Sequence, residues 1–217
     1  MDEDPQDLFP ENVFISQHPL VMHKLVLMRS RLTEPKKFRA LLREITLLLF
    51  YEATQDLPVA PLTVQTPFAS CSGYEVSVRI GLMPILRSAI AMSEAILDIL
   101  PSVPVWHVGI YRDPETLEPV TYFDNLPMRS DVDVAIVMDP MLATGGTAVE
   151  AIDILKEYWG ASQIKFLGIL AAPDGISTLI KAHPSLSIYL AAIDSHLDED
   201  GFIVPGLGDA GDRQYDT

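Results

Sequence analysis

The strongest constraint on this chain is one stretch, Ala135 to Val149, which reads AIVMDPMLATGGTAV. Its start, with Val134 to Met138, is apolar and uncharged, as suits a strand buried on both faces of a parallel sheet. The run ends at Asp139-Pro140, and a proline cannot donate to a sheet ladder, so the strand is expected to stop there. Thr144, Gly145, Gly146 and Thr147 follow. A helical pattern then places Ala148, Ile152, Leu155 and Trp159 on one face. Strand, glycine turn and helix start make a phosphate site, because the first helical turn carries unpaired N–H groups and the positive end of the dipole. Asp139 stands at the carboxyl end of the strand, where open α/β sheets bind ligands. A carboxylate beside an anion-binding turn suits a sugar phosphate, accepting from ribose hydroxyls or facing a metal. The plainer reading is an ordinary tight βα turn. A Walker A loop is excluded because no Gly-Lys-Ser/Thr follows, and a dinucleotide fingerprint because its third glycine is missing.

DPMLATGGT resembles the PRPP loop of type I phosphoribosyltransferases, in the form carried by uracil phosphoribosyltransferase. Most of that superfamily has two acidic residues before the loop, whereas the uracil enzymes have Asp-Pro, as in Asp139-Pro140. The resemblance implies an α/β fold, a central parallel sheet flanked by helices, with a β-arm and a small C-terminal hood. It implies PRPP contacts from Asp139, Pro140, Met141, Leu142, Ala143, Thr144, Gly145, Gly146 and Thr147.

A chain of 217 residues, 48% hydrophobic, suffices for one α/β domain with a sizeable core and is too apolar to be disordered throughout. The formal charge of −15 disfavours broad nucleic-acid or anionic-membrane contact. An anionic substrate must therefore be held by local donors. A single cysteine, Cys71, allows neither a disulfide framework nor a cysteine zinc site within the chain, which fits a reducing compartment. The acidic start lacks the pattern of a signal peptide, and no apolar run approaches the ~20 residues of a membrane helix. The expectation is a cytoplasmic protein without membrane or nucleic-acid partners.

In chain order, residues 1–17 are expected to form a flexible acidic arm. Val21, Leu25, Met28 and Leu32 share one helical face. After Pro35 a second helix buries Phe38, Leu41, Leu42, Ile45, Leu48 and Leu49. Seven of the 15 basic residues lie between Lys24 and Arg43. The one aromatic among them, Phe38, falls on the face read as buried, which favours a solvated helix face over an RNA-binding one. Residues 57–78 are Pro-, Ser- and Thr-rich with short alternating runs, read as a β-arm. In the family this arm reaches a partner subunit.

RIGLMPILRSAIAMSEAILDIL predicts a strand, a turn over Pro84 to Ser88, and a helix with Ala89, Met92, Ile96 and Ile99 inside. An arginine such as Arg87 in that turn is either solvated or holds an anion. PILRSA resembles the family's PILRAG loop, which meets the pyrophosphate of PRPP. Here Ser88 replaces its alanine, and Ala89 and Ala91 stand where glycines are expected. After a strand over Val103 to Ile110 comes YRDPETLEPVTYF, a polar segment read as a lid with Arg112 as an anion ligand. Its resemblance to the family's closing loop is close. His107 is expected to pack rather than react.

IKFLGILAAP, a helix from Asp174 to His183 and LSIYLAAID continue the β/α alternation, which requires long crossovers and hence a parallel sheet. His183 before Pro184 reads as a helix C-cap. Asp194, His196 and Asp198 suggest solvated loop acids more than metal ligands. The end, GFIVPGLGDAGDRQYDT, holds Gly201, Gly206, Gly208 and Gly211, four of the 12 glycines. Such density suits backbone contact with a planar base or a flexible tail. IVPGLGDAGDR resembles the family's uracil-binding signature. There the isoleucine and the Gly-Asp-Ala backbone read the base and the aspartate also meets PRPP, which implies Ile203, Gly208, Asp209 and Ala210 within a hood over residues 195–217.

Together these matches span His18 to Arg213, within one phosphoribosyltransferase domain of residues 1–217. They imply transfer of the 5-phosphoribosyl group from PRPP to uracil, giving UMP and diphosphate. Arg87, Arg112, Asp139 and Asp209 would be the catalytic residues, and Mg2+ would be held mainly through the diphosphate. They also imply a homodimer or higher homo-oligomer, and a GTP effector in some members. Two other classes compete: an RNA-binding nucleotide sensor, and a catalytically weak homologue serving as a regulatory or structural subunit. The −15 charge and the base-loop resemblance speak against the former, and Ser88, Ala89 and Ala91 keep the latter open.

Overall fold

The structure is a computed structural model describing residues 9–112, 119–124, 126, 131–159, 161 and 163–217, without the side chains of residues 112, 119, 124 and 159. Its elements in order are β1 (Val13–Ile15), α1 (Pro19–Arg29), α2 (Pro35–Ala53), β2 (Val59–Gln65), β3 (Ser70–Val76), β4 (Ile80–Leu86), α3 (Ile90–Leu97), β5 (Val108–Arg112) and β6 (Pro119–Asp124). They continue as β7 (Val134–Met138), β8 (Met141–Leu142), α4 (Gly146–Trp159), β9 (Gln163–Ala171), α5 (Pro173–Ala182), β10 (Ser187–Ile193), β11 (His196–Leu197), β12 (Ile203–Val204) and α6 (Ala210–Tyr215).

Among the described residues the main sheet runs β1-β10-β9-β7-β4-β5-β6, with β8 also on β9. Every pairing is parallel except β5 with β6. From β4 the chain passes to β5 on one side, then to β7 on the other. That reversal puts a crevice outside the carboxyl ends of β4 and β7, the usual ligand position in such sheets.

The core has two layers, one on each sheet face. Ile136 and Met138 of β7 pack with Val21, Phe38, Leu41 and Leu49 of α1 and α2. The alternate residues Ala135 and Val137 pack with Ala148, Ile152, Leu155 and Ile176 of α4 and α5. A strand buried on both faces has no polar position to offer, which explains its uninterrupted apolar run. Lys165 is nonetheless 1% exposed on β9, its ammonium donating to Ala53 O at 2.6 Å and paired with Asp56. A buried ammonium needs such partners to offset lost hydration.

Several local expectations change. Residues 13–15 are not part of a loose arm: β1 pairs with β10, and Asn12 donates to Leu186 O at 2.6 Å. Residues 1–8 of that arm lie outside the described residues. Leu32 is 83% exposed, beyond the end of α1. The helix stops because Arg213 takes the carbonyls of Met28 at 2.8 Å and Ser30 at 2.6 Å, satisfying groups that one more turn would have used. The strand expected from Val103 begins only at Val108, preceded by a single bridge from Val105 to Leu82. His107 lies just before it. Ile99 falls outside α3 and is exposed. β2 and β3 form an antiparallel hairpin, separate from the main sheet and exposed along almost all its length.

Candidate functional site

The crevice at the reversal of strand order opens into a cleft of about 320 Å³. Ser88, from the turn after β4, and Asp139, just after β7, lie on adjacent strands, since Pro84 pairs with Met138. Met141, Ala143 and Thr147 line one end; Gly201, Phe202, Ile203, Gly208, Asp209 and Ala210 line the other. A small pocket of about 30 Å³ continues beneath the first end, walled by Asp139, Met141 to Gly145, Thr147 and Ala148.

The turn from Asp139 to Thr147 is built largely by main chain. Pro140 O accepts from Ile169 N and Leu170 N, and Leu142 O accepts from Ala172 N, each at 3.0 Å. Pro140 and Leu142 are buried, so these two serve the scaffold more than the cleft. Gly145 has φ +86°, and a Cβ there would stand 2.7 Å from Gly175 O. Gly175, in the first turn of α5, lies so close behind the loop that its own Cβ would meet Ala143 O at 2.4 Å and Leu142 O at 2.5 Å. Glycine is therefore required twice at this contact, once for conformation and once for space. Gly146 opens α4, Thr147 follows it, and Val149 N bonds back to Gly145 O at 3.0 Å. The first amides of α4 are thereby presented at the pocket, a ready anion site.

Asp139 accepts from Ser88 Oγ at 3.1 Å and from Met141 N at 3.4 Å. Burial pushes its carboxyl up to about 7, against the pull of those two donors, and the nearby Asp209 charge adds to the rise. Asp209 caps α6, accepting from Asp212 N at 2.9 Å. Ile203 is 5% exposed and belongs both to the core and to the cleft wall.

Arg87 follows β4, but its guanidinium meets α6: Asp212 Oδ1 and Thr217 Oγ1 at 3.0 Å each, with the Tyr215 ring 5.6 Å away. Arg112 ends β5 at the same carboxyl end of the sheet; its side chain and the expected lid segment 113–118 lie outside the described residues. Ala89 caps α3 with φ −90° and ψ 4°, and Ala91 sits within the helix. Neither has a positive φ, so neither backbone position demands glycine.

The glycine-rich end of the cleft is tied down by side chains. Arg29 of α1 grips Asp194 with two bonds of 2.7 and 2.6 Å and donates to Gly206 O at 2.8 Å. Gly206 N donates to Asp194 Oδ2 at 2.8 Å. Arg213 donates to Leu207 O at 2.8 Å and lies over the Phe38 ring at 4.6 Å. Asp194 thus serves as an anchor, and its separation of 165 residues from Arg29 hid the pair from sequence reasoning. The sequence marks Ser88 only as a substitution, and the structure places it in the cleft. The signal available was a hydroxyl in the turn after the strand beside β7.

A larger hollow of about 660 Å³ lies away from these strand ends, between α2 and the base of the hairpin, with Phe50, Leu57, Ile80 and Val103 in its wall. Its wall is mainly apolar, with Thr54, Gln55, Arg79 and Ser102 as its polar members.

A family model described as uracil phosphoribosyltransferase matches residues 15–217. The uracil phosphoribosyltransferase of Roseiflexus castenholzii is 58% identical over 207 residues, covering 95% of this chain and 99% of that protein. That of Dictyoglomus thermophilum is 50% identical over 206 residues, 94% of this chain and 99% of its own. The solved structure of the AQ2163 protein from Aquifex aeolicus superposes with a TM-score of 0.87 at 33% identity, over 94% of this chain and 97% of that one. An adenine phosphoribosyltransferase of Trypanosoma brucei, solved with AMP, pyrophosphate and ribose-5-phosphate, shares the fold at a TM-score of 0.53 and 15% identity.

Proposed function

We infer that this chain, which belongs to the uracil phosphoribosyltransferase family, transfers the 5-phosphoribosyl group of PRPP to uracil, giving UMP and diphosphate. The observation that carries this reading is the single cleft, with an anion-binding helix start at one end, a glycine-rich loop at the other and Asp139 between them. The relatives' names support an active transferase over a sensing or structural homologue.

In this reading the amides from Ala143 to Thr147 hold the 5-phosphate, with the two threonine hydroxyls as further donors. Asp139 accepts from the ribose hydroxyls. Ile203 packs against the uracil ring, and the backbone of Gly208, Asp209 and Ala210 matches its edge. As the bond to diphosphate breaks, the ribose carbon gains oxocarbenium character and uracil N1 bonds to it, the N1 proton passing to water or to the departing diphosphate. The protein's part is positioning and charge stabilisation. Arg112 and Arg87 offset charge on the leaving diphosphate. Arg87 reaches it by exchanging its half-exposed Asp212 pairing, which costs little at a surface.

Among the described residues no three His, Cys, Asp or Glu side chains form a metal cage. Mg2+ fits here through the diphosphate oxygens and water, a usual mode for this ion, and the arginines would hold the diphosphate that carries it. When bound, the ion neutralises part of the leaving group's charge. No described helix is long and apolar enough to cross a membrane. We assign the chain to the cytoplasm, to a homodimer or higher homo-oligomer through its exposed hairpin, and treat GTP as an effector to be assayed.

The test is turnover with PRPP, Mg2+ and uracil, beside cytosine and a purine base. UMP formation with uracil is expected. Binding of PRPP or UMP without turnover would return the chain to the regulatory class.

A further inference from the structure

Ser88 stands where the resembling loop has alanine, and it joins three parts of the site. Its hydroxyl donates to Asp139 Oδ1 at 3.1 Å. Its carbonyl accepts from Gln214 Nε2 at 2.8 Å, and that buried amide also donates to Ala210 O at 2.8 Å. The turn after β4, the carboxylate after β7 and the helix of the base end therefore meet at one residue. Ser88 itself is half-buried in the cleft wall.

We propose that Ser88 is a positioning residue for phosphoribosyl transfer: its hydroxyl holds the Asp139 carboxylate as an acceptor aimed at the ribose hydroxyls. The proposal rests on the reading of Asp139 as the ribose ligand. Two acids share the cleft with it, Asp209 and Asp200. β9 offers it main chain only, with Asp139 N donating to Leu167 O at 3.3 Å. Thr147 of α4 is neutral, and Arg87 is paired with Asp212. Ser88 and Met141 N therefore supply the hydrogen bonds that favour an ionised Asp139 against its burial. Without the hydroxyl, more of the enzyme carries a protonated Asp139 near neutrality, and that group accepts poorly.

The experiment compares wild type with S88A, S88C and S88T, measuring kcat/KM for PRPP at saturating uracil between about pH 6 and 8.5, with melting curves to verify folding. The phosphates of PRPP titrate near pH 6, but that effect is common to all variants and cancels in their ratio. For S88A the acid limb should move up by roughly 0.5 to 1 pH unit. This lowers kcat/KM about three- to tenfold near pH 6 and less than twofold near pH 8.5. S88C keeps the volume with a weak donor and should follow S88A; S88T should restore the wild-type profile. A loss equal at every pH, or no loss, overturns the proposal. Should wild type show no turnover, the assigned activity falls separately, and calorimetric binding of ribose-5-phosphate over the same pH range then reads the same ratio.

Discussion

The two ends of the cleft are stabilised in different ways. The phosphate end is continuous in sequence and hangs from β7, β8 and β9 by main-chain bonds, with Gly175 directly behind it. The base end is made of two-residue strands and one short helix, fastened by Arg29, Arg213 and Gln214. One end draws its rigidity from a sheet that any apolar sequence of the right pattern can build. The other depends on a few charged side chains from distant parts of the chain. In the proposed reading, affinity for the phosphoribosyl donor would be built on the scaffold, and base recognition on an attachment held by side chains.

The sharpest way to break this contrast is Arg29→Met. The Asp194 side chain is 6% exposed, and leaving it without its partner should cost about 3–5 kcal/mol. At roughly 2–4 °C per kcal/mol for a chain of this size, calorimetry should show a fall near 10 °C. Below that melting point KM for uracil should rise more than KM for PRPP; an equal rise would mean that the two ends are one unit. Gly145→Ala attacks the other end. Its positive φ and the contact with Gly175 O should cost about 1–3 kcal/mol. Here PRPP affinity should weaken while KM for uracil, measured at saturating PRPP, stays near the wild-type value and so reports an intact base end.

A smaller effect runs in the opposite direction. The Asp139 carboxyl is raised to about 7, above its unfolded value near 3.8. Between those values the folded chain holds a proton that the unfolded chain has released, so this group's contribution is full in acid and lost as pH rises through about 7. Asp139→Asn should therefore melt like wild type near pH 4 and be more stable by about 1–2 kcal/mol near pH 8, with partial exposure discounted, while losing activity. Equal stability at both pH values would show that the carboxylate is better solvated than its surroundings indicate.

The phosphate end was largely legible because its information is local: an apolar run, a proline stop, two glycines and a helical repeat within one short stretch. Long-range side-chain pairing was not. Arg29 read as one of several basic residues on a solvated face, yet it anchors Asp194 and Gly206. Arg87 was placed correctly after β4, but nothing in its neighbourhood revealed that Asp212 and Thr217 would take its guanidinium. The edge strand β1 carries too few residues for a period-two signal; its pairing depends on β10, more than 170 residues on. Alanine stands at 89 where the resembling loop has glycine, and the ordinary φ of that residue shows that its backbone does not need one.

Gly175 does not itself line the cleft but lies directly behind residues that do, and its missing side chain sets how far the phosphate loop can settle onto α5. In a deep mutational scan it should stand out as an intolerant position on the back of the molecule, with losses indistinguishable from those of residues in the cleft itself. A library meant to change the accepted base can vary the hood outside Gly206, Asp209, Arg213 and Gln214, provided that Gly175 behind the opposite end is also kept constant.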